Sequence, residues 1–177
     1  MIVTPSTKLH QDMEKIKYCY YLTSATAGGE YIKLPSFNST GNALSAGIWI
    51  RTGWSTDIQG VAGHYDNHGE YVWAMATDTS GKLRFTCGSD NVWSTTLTSN
   101  GSVNDNYWHY IVCTYDGSYM RIYIDGILDN SVSETNTLGL GTLPTYIGAT
   151  TYNDTTEAYV LSNSSFTGNI ESFEFWD

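Results

Sequence analysis

The stretch YWHYIVCTYDGSYMRIYIDGILDNSVS, residues 107–133, decides the fold of this chain. Residues 108–115 and 120–125 each alternate in character with the period of two that is typical of a β-strand. Asp116-Gly117 and Asp125-Gly126 separate the runs, and both residue types accept the positive φ that tight turns require. The stretch therefore predicts a meander of three antiparallel strands, of which ILDNSVS is the third.

Similar short runs with breaks between them fill the rest of the chain on either side of this meander. We count eleven or twelve strands and no helix beyond residue 17, with a polar loop at 149–166. Such a chain closes its core as two stacked antiparallel sheets, an all-β jelly-roll sandwich. The further predicted strands are YCYYLTSA, GGEYIKLP, SAGIWIRTG, GVAGHY, EYVWAMATD, KLRFTCGS, VWSTTLTS, LPTYIGA and FTGNIESFEFWD.

Composition and charge narrow the function classes. The chain has 177 residues, 14% aromatic residues and a net charge of −10. No apolar run approaches the roughly 20 residues of a membrane span. A net negative charge disfavours nucleic acid and anionic membranes, because both are bound through clustered Lys and Arg. We therefore expect neither as a partner.

The first 17 residues differ from the body at 18–177. They contain no aromatic residue, and Lys8, Lys15 and Lys17 are three of the eight basic residues of the chain. Such a polar segment cannot bury enough apolar surface to order itself. We expect it to be an attachment arm, held by a capsid protein or by other copies of this chain in a homo-oligomer. A disordered leader, or one extra strand on the sandwich, is the alternative.

The cysteines and the N-terminus bear on the compartment. Cys19, Cys87 and Cys113 are odd in number and contain no CxxC pair, so we predict buried free thiols and neither disulfides nor zinc. The first residues show no apolar core of a secretory signal. The sequence as given is therefore expected to be made in a reducing cytoplasm, unless an export signal was removed.

The central stretch resembles the signature of the laminin-G-like, concanavalin A-like lectin/glucanase jelly rolls, and the resemblance extends over about residues 18–177. In that family a Trp-His pair opens a strand, a Tyr-Asp-Gly turn follows, and an aromatic-x-Asp-Gly turn closes the next strand. The matching residues are Trp108, His109, Tyr115, Asp116, Gly117, Tyr123, Asp125 and Gly126. The resemblance implies the fold. The fold hosts glycan binding, protein binding, calcium sites and glycosidases, so the site needs its own argument.

A glycosidase would need two carboxylates about 5 to 9.5 Å apart. The best pair in the sequence is Glu171 and Glu174. Three residues apart, they would point to opposite faces of a regular strand. The sequence shows no Ser, His and Asp arrangement that would form a nucleophilic triad, and its histidines are scattered at His10, His64, His68 and His109. We therefore expect no catalytic residues and no enzyme activity.

Loop aromatics beside Asp and Asn are the candidate ligand contacts. A sugar ring stacks on Trp or Tyr, while neighbouring polar groups bind its hydroxyls. Calcium stays open as a cofactor, through Asp66, Asp90, Asp154 and Glu157, although none of these lies in a recognisable ligand loop. No other metal is expected. The candidate glycan contacts are Trp54 (beside Asp57), Tyr65, Asp66, Asn67, Asp90, Asn91, Trp93, Tyr152, Asn153 and Asp154.

The sequence thus predicts a non-enzymatic binding or decoration module. We expect it on a virion surface, on a capsid or appendage, made in the host cytoplasm and binding glycans or host-surface molecules. That setting follows from the use of the resembled family in phage appendages and from the absent signal. The alternatives are a secreted, extracellular lectin or adhesion module cut from a larger protein, and a divergent glycoside hydrolase.

Overall fold

The computed structural model describes residues 20–22, 30–36, 41–65, 71–89, 95–139, 144–149, 152–153, 159–160 and 165–176. These residues form strands and their connections, with no helix among them. In chain order the strands are β1 Tyr20–Leu22, β2 Ile32–Leu34, β3 Leu44–Arg51, β4 Gln59–Tyr65, β5 Tyr71–Thr77, β6 Lys82–Cys87, β7 Thr96–Ser102, β8 His109–Tyr115, β9 Tyr119–Ile124, β10 Ile127–Ser133, β11 Thr145–Ile147, β12 Tyr152–Asn153, β13 Tyr159–Val160 and β14 Gly168–Trp176.

Two six-stranded antiparallel sheets make up the sandwich. The first sheet has the order β1-β14-β3-β8-β9-β10, and the second has the order β2-β11-β4-β5-β6-β7. Strands β12 and β13 pair only with each other. The predicted jelly-roll sandwich is confirmed.

The meander at 107–133 is β8, β9 and β10, and both predicted turns are present. Asp125 and Gly126 have φ values of 53° and 82°, which is the conformation of a two-residue hairpin turn of type I′. At the other turn Gly117 has a φ of 83°, and the Asp116 carboxylate accepts hydrogen bonds from the N–H groups of Ser118 and Tyr119. The aspartates and glycines thus have the turn-forming roles that the sequence predicts.

The core lies between the sheets and is built from the alternate residues of each strand whose side chains face inward. In β3, Ala46, Ile48 and Ile50 are fully buried, while Trp49 between them faces outward. Trp73 of β5 crosses the interior to the first sheet. Its ring stacks on Phe173 at a centroid distance of 6.1 Å and on Phe175 at 5.8 Å. These contacts bind the two sheets together over the middle of the sandwich.

Side-chain hydrogen bonds join the sheets where β7 and β10 meet. The Asp129 carboxylate accepts from the N–H groups of Asn100 and Gly101. The Asn130 amide donates to the carbonyl of Thr98 at 2.8 Å. Polar groups on the two edge strands are therefore satisfied across the gap between the sheets, which protects both edges from pairing with another chain.

Two predictions about the strands are wrong. The described residues contain fourteen strands rather than eleven or twelve, and two of them, β12 and β13, lie in the segment 149–166 that we interpreted as loop. The second error concerns β14. Glu171 pairs with Trp49 and Glu174 pairs with Gly47, with a bulge between them. Because cross-strand partners share a face, both glutamates lie on the outer face of the first sheet.

The bulge contains Ser172, a non-glycine residue with a φ of 50°. Ser172 and Phe173 together stand opposite the single residue Ile48, so the alternation continues with one extra residue. Phe173 is buried, which keeps it on the core side. Counting residues along an assumed regular strand therefore gave the wrong face for Glu174.

Cys87 and Cys113 are buried free thiols, as predicted, and burial raises the pKa of both. Cys19 and the arm residues Lys8, Lys15 and Lys17 lie outside the described residues. No helix that is long and apolar enough to cross a bilayer occurs in the described part of the chain.

Candidate functional site

The predicted glycan contacts divide between the two ends of the second sheet. The loops that hold Asp66, Asn67, Asp90, Asn91 and Trp93 follow the C-terminal ends of β4 and β6, and these ends are adjacent because β4, β5 and β6 pair in sequence. Trp54 precedes the start of β4. The segment after β11 also leaves from that end, where the N–H of Gly148 donates to the carbonyl of Val61.

Only one of these predicted contacts has a described side chain, and it is Trp54. The side chains of Tyr65, Tyr152 and Asn153, the loop residues Asp66, Asn67, Asp90, Asn91, Trp93 and Asp154, and the calcium candidate Glu157 all lie outside the described residues. Trp54 is 41% exposed on the connection between β3 and β4. Its backbone N–H donates to Thr52 Oγ1 at 3.1 Å, and that hydroxyl donates to the carbonyl of Thr167 at 2.8 Å. The backbone that carries the ring is therefore held in place.

A second loop, residues 103–108, packs against the Trp54 loop. The N–H of Asn106 donates to the carbonyl of Thr52 at 3.0 Å. A Cβ on Gly53 would lie only 2.5 Å from the Asn106 amide, so glycine is needed for this approach. The next residue, Tyr107, is 73% exposed. We call the two loops, 52–58 and 103–108, the rim.

The rim combines exposed rings with hydrogen-bonding groups. Trp54 and Tyr107 supply the rings, and Asp57, Asp105 and Asn106 are exposed polar residues beside them. Asn106 has a φ of 67°, a left-handed conformation that Asn tolerates. Asp105 accepts from the N–H of Tyr107 at 2.9 Å, which fixes the turn that presents this ring.

His109 anchors the rim to the end of the meander. Its Nδ1 lies 2.8 Å from an Asp125 oxygen, and its Nε2 lies 3.0 Å from an Asp105 oxygen. Both ring nitrogens donate only when the imidazole is protonated, so two carboxylates favour the cation. Burial lowers the pKa of His109, but the hydrogen bonds to Asp125 and Asp105 outweigh burial and raise it. His109 is the first residue of β8, an interior strand of the first sheet, and these contacts give it a structural role there.

The contribution of Asp105, Asn106 and Tyr107 to this site was not predicted from the sequence. The signal was the run NDNY at 104–107, directly before Trp108, which we did not interpret as part of a site. An exposed Tyr beside Asp and Asn is the same pattern that singled out Trp54 with Asp57.

Metal-binding groups are sparse in the part of the chain that is described. No three His, Cys, Asp or Glu side chains come close enough there to hold an ion. His64, which is part of the predicted strand GVAGHY, lies in β4 and is fully buried opposite Trp73.

Solved structures resemble this chain in fold at low sequence identity. The mouse laminin α1 chain, domains LG4-5, gives a TM-score of 0.69 at 16% identity, over 95% of this chain and 44% of that chain. A heptameric SAP-like pentraxin from Limulus polyphemus gives 0.57 at 14% identity, over 81% of this chain and 66% of that chain. The CBM40 of a Ruminococcus gnavus IT-sialidase, bound to α2,3 sialyllactose, gives 0.59 at 12% identity, over 81% of this chain and 88% of that chain.

This chain therefore spans two thirds or less of the pentraxin and laminin chains. No curated protein matches it in sequence. A family profile described as the concanavalin A-like lectin/glucanases superfamily, of the Laminin G type, matches residues 26–177. With most of its length matched, the chain belongs to the concanavalin A-like lectin/glucanases superfamily.

Proposed function

We propose that this protein is a non-enzymatic module that binds glycans at the rim. The observation that carries the proposal is that two loops, joined by the backbone hydrogen bond from Asn106 to Thr52, present the exposed rings of Trp54 and Tyr107 beside Asp57 and Asn106. Rigid aromatic rings lose little entropy on binding, and carboxylate and amide groups hydrogen-bond sugar hydroxyls. The carbohydrate-bound CBM40 supports glycan binding as a use of this fold.

A glycan array tests the proposal. We expect a saccharide that binds the wild-type chain to bind the Trp54→Ala and Tyr107→Ala variants about tenfold more weakly, because each removes a stacking surface. Gly53→Ala should have a similar effect, since its Cβ displaces the Asn106 side chain.

Gly41→Ala is the matched control, because a Cβ there meets no atom within 4 Å. The array is probed with and without calcium. Glycan binding that none of the three rim variants weakens would place the site elsewhere. The absence of binding to any saccharide would contradict the proposed function itself.

Glycoside hydrolysis is the second candidate, and one observation favours it. Glu171 and Glu174 pair with Trp49 and Gly47, two residues apart on β3, so their backbones stand roughly 7 Å apart on one face. That spacing is compatible with a pair of catalytic carboxylates. We nevertheless expect no turnover of a polysaccharide panel. Hydrolysis that disappears in Glu174→Gln would establish the enzyme instead.

We propose further that the module is displayed on a virion surface and assembles as a homo-oligomer through residues 1–17. Support comes from the family resemblance and from the three lysines of the arm. Deleting residues 1–17 should abolish assembly or particle attachment and leave the melting temperature within a few degrees. A large loss of stability with assembly intact would contradict the attachment role. A secreted adhesion module is the competing setting, and the material that copurifies with the native protein distinguishes the two.

A further inference from the structure

The outer face of the first sheet carries aromatic residues where an exposed sheet usually carries small polar ones. Trp49 and Trp176 are 38% and 36% exposed on β3 and β14. Tyr110 of β8 pairs with Trp49, and Trp176 pairs with Ser45, two residues beyond the pair of Glu174 with Gly47. Three strands thus place their outward rings next to one another.

Gly47 makes room for this arrangement. A Cβ at Gly47 would lie 2.6 Å from the Tyr110 hydroxyl and 3.3 Å from the Trp176 ring. Both side chains therefore lie over the β3 backbone at this point. The Tyr110 ring also contacts Trp49, with centroids 5.2 Å apart and planes tilted by 32°. We call Gly47, Trp49, Tyr110, Glu174 and Trp176 the platform.

A carboxylate is fixed within the platform. The Tyr110 hydroxyl donates to Glu174 Oε2 at 3.1 Å. Burial raises the pKa of Tyr110 to about 12, and the hydrogen bond to Glu174 raises it as well. Tyr110 therefore keeps its proton at neutral pH and holds the Glu174 carboxylate beside the rings. Among the described residues, Glu174 has no other hydrogen-bond partner.

The charge of the face restricts the ligand. Glu171 and Glu174 lie on it together, while the two arginines of this face have other contacts: Arg51 lies over the Trp108 ring at 5.8 Å, and Arg121 donates to the Asp116 carboxylate. Two carboxylates repel an anionic sugar, whereas a carboxylate accepts strong hydrogen bonds from the hydroxyls of a neutral one. Exposed ring faces around a fixed acceptor match an uncharged hexose, which has an apolar C–H face and hydroxyls at its edge.

We propose that the platform is a second binding site, specific for an uncharged saccharide that stacks on Trp49 or Trp176 and donates a hydroxyl to Glu174. It shares its ligand chemistry with the proposed function but uses a different surface from the rim. The site requires Gly47 to keep the rings in place and Tyr110 to orient the carboxylate.

The experiment is an array that carries neutral oligosaccharides and their sialylated counterparts, followed by calorimetry on the neutral saccharides that bind. We expect Trp49→Ala and Gly47→Ala to weaken a neutral saccharide at least about fivefold, and Gly41→Ala to leave it unchanged. Glu174→Gln keeps the shape but removes the charge, so it should reduce the preference for the neutral form over the sialylated form.

The outcomes separate the two sites. Loss of binding only in Trp54→Ala and Tyr107→Ala overturns the platform and leaves the proposed function standing. If saccharide binding is lost only in the platform variants, the platform is supported as a binding site and the rim is not the glycan site. If the wild-type chain binds no saccharide at all, both the platform and the proposed function are contradicted.

A second copy of the chain is the competing occupant. If Trp49→Ala and Glu174→Gln instead convert an oligomer to a monomer in sedimentation velocity, with sugar binding unchanged, the platform is a subunit contact and the proposal is wrong. Glu174→Gln is isosteric, so this measurement stays decisive should Gly47→Ala fail to fold.

Discussion

The inner faces of the two sheets are similarly apolar, but their outer faces carry different kinds of residue. On the first sheet the outward positions of β3, β8 and β14 hold Trp49, Tyr110 and Trp176, with Glu174 among them. On the second sheet the outward positions of β4 and β5 hold small residues, namely Gly60, Gly63, Ala74 and Ala76. The same period of two builds both, so alternation determines which residues face outward and says nothing about what they do there.

The charged residues on the two outer faces also differ. Glu171 and Glu174 lie on the first sheet, whereas Lys82 and Arg84 lie on the outward side of β6 in the second. Neither Lys82 nor Arg84 forms an ion pair among the described residues. The first face thus carries aromatic rings and charges of both signs, with Arg51 and Arg121 on the same face as the two glutamates, whereas the outward positions of β4, β5 and β6 carry small and basic residues.

The largest expected effect tests the bulge that places β14 on the first face. Phe173→Ala should lower the free energy of unfolding by about 3–5 kcal/mol, because Phe173 is buried against Trp73. Trp176→Ala, three residues further along the strand and on the outer face, should cost about 1 kcal/mol or less. Urea denaturation compares the two. Equal losses, or a larger loss for Trp176, would show that β14 does not follow this register.

A smaller effect concerns the junction that keeps the two sheets together. Glu134 Oε2 accepts from the N–H of Thr95 at 3.0 Å, and Oε1 accepts from those of Thr135 and Asn136 at 2.8 and 3.0 Å. Glu134→Gln puts an amide donor against these N–H groups and should cost about 1–3 kcal/mol. Glu171→Gln, on the open face of the first sheet, is the matched control and should cost far less.

The pH dependence of Glu134 checks the same contacts. Burial raises the pKa of Glu134, but the backbone N–H groups outweigh burial and lower it. A lowered pKa in the folded state means stability that is present above the ordinary carboxyl pKa and is lost as the pH falls through the folded value. The difference between wild type and Glu134→Gln should therefore shrink in acid. A difference that is constant from pH 7 to pH 3 would contradict the assignment.

The sequence predicts the strands and turns of this fold better than it predicts the two candidate sites. The meander was predictable because two Asp-Gly pairs interrupt regular alternation, and their φ values agree with that interpretation. The face of Glu174 was not, because Ser172 is neither Gly nor Asn and nothing in the sequence indicates a left-handed residue. The platform depends on cross-strand pairing between β3, β8 and β14, which brings together residues as far apart in sequence as Gly47 and Trp176, 129 positions. Local patterns cannot supply that pairing.

The rim gives an intermediate case. Trp54 near Asp57 is a local pattern, and it was predicted as a candidate contact. Tyr107 beside Asp105 and Asn106 is the same kind of pattern, but it was not predicted as one. Their proximity depends on a hydrogen bond between Asn106 and Thr52, 54 residues apart in sequence, which the topology creates.

A third prediction concerns His109, which joins the rim to the first sheet. Its raised pKa means stability that is fully present below the ordinary imidazole pKa of about 6.5 and is lost as the pH rises through the folded value. We expect wild type to lose about 1 kcal/mol over that range beyond what His109→Gln loses. Urea midpoints measured from pH 5.5 to pH 9 test this. The same slope in both proteins would show that His109 is not charged between Asp105 and Asp125.

The smallest expected effect compares one arginine from each outer face. Arg121, on the first sheet, donates to the Asp116 carboxylate and lies 5.1 Å over the Tyr119 ring. Arg84, on the second sheet, makes no ion pair among the described residues. Arg84→Ala should change the free energy of unfolding by less than about 0.5 kcal/mol. Arg121→Ala should cost more, because it also leaves the Asp116 turn without its cation.

Salt separates the two contributions. An exposed ion pair is screened, so the loss in Arg121→Ala should shrink between 50 mM and 500 mM sodium chloride when unfolding is measured in urea. Arg84→Ala takes the net charge from −10 to −11, which adds only a diffuse repulsion that the same salt removes. At high salt the two variants should converge. If Arg84→Ala is the more damaging at low salt, then Arg84 is paired with a group outside the described residues, and the basic character of the second face is already neutralised there.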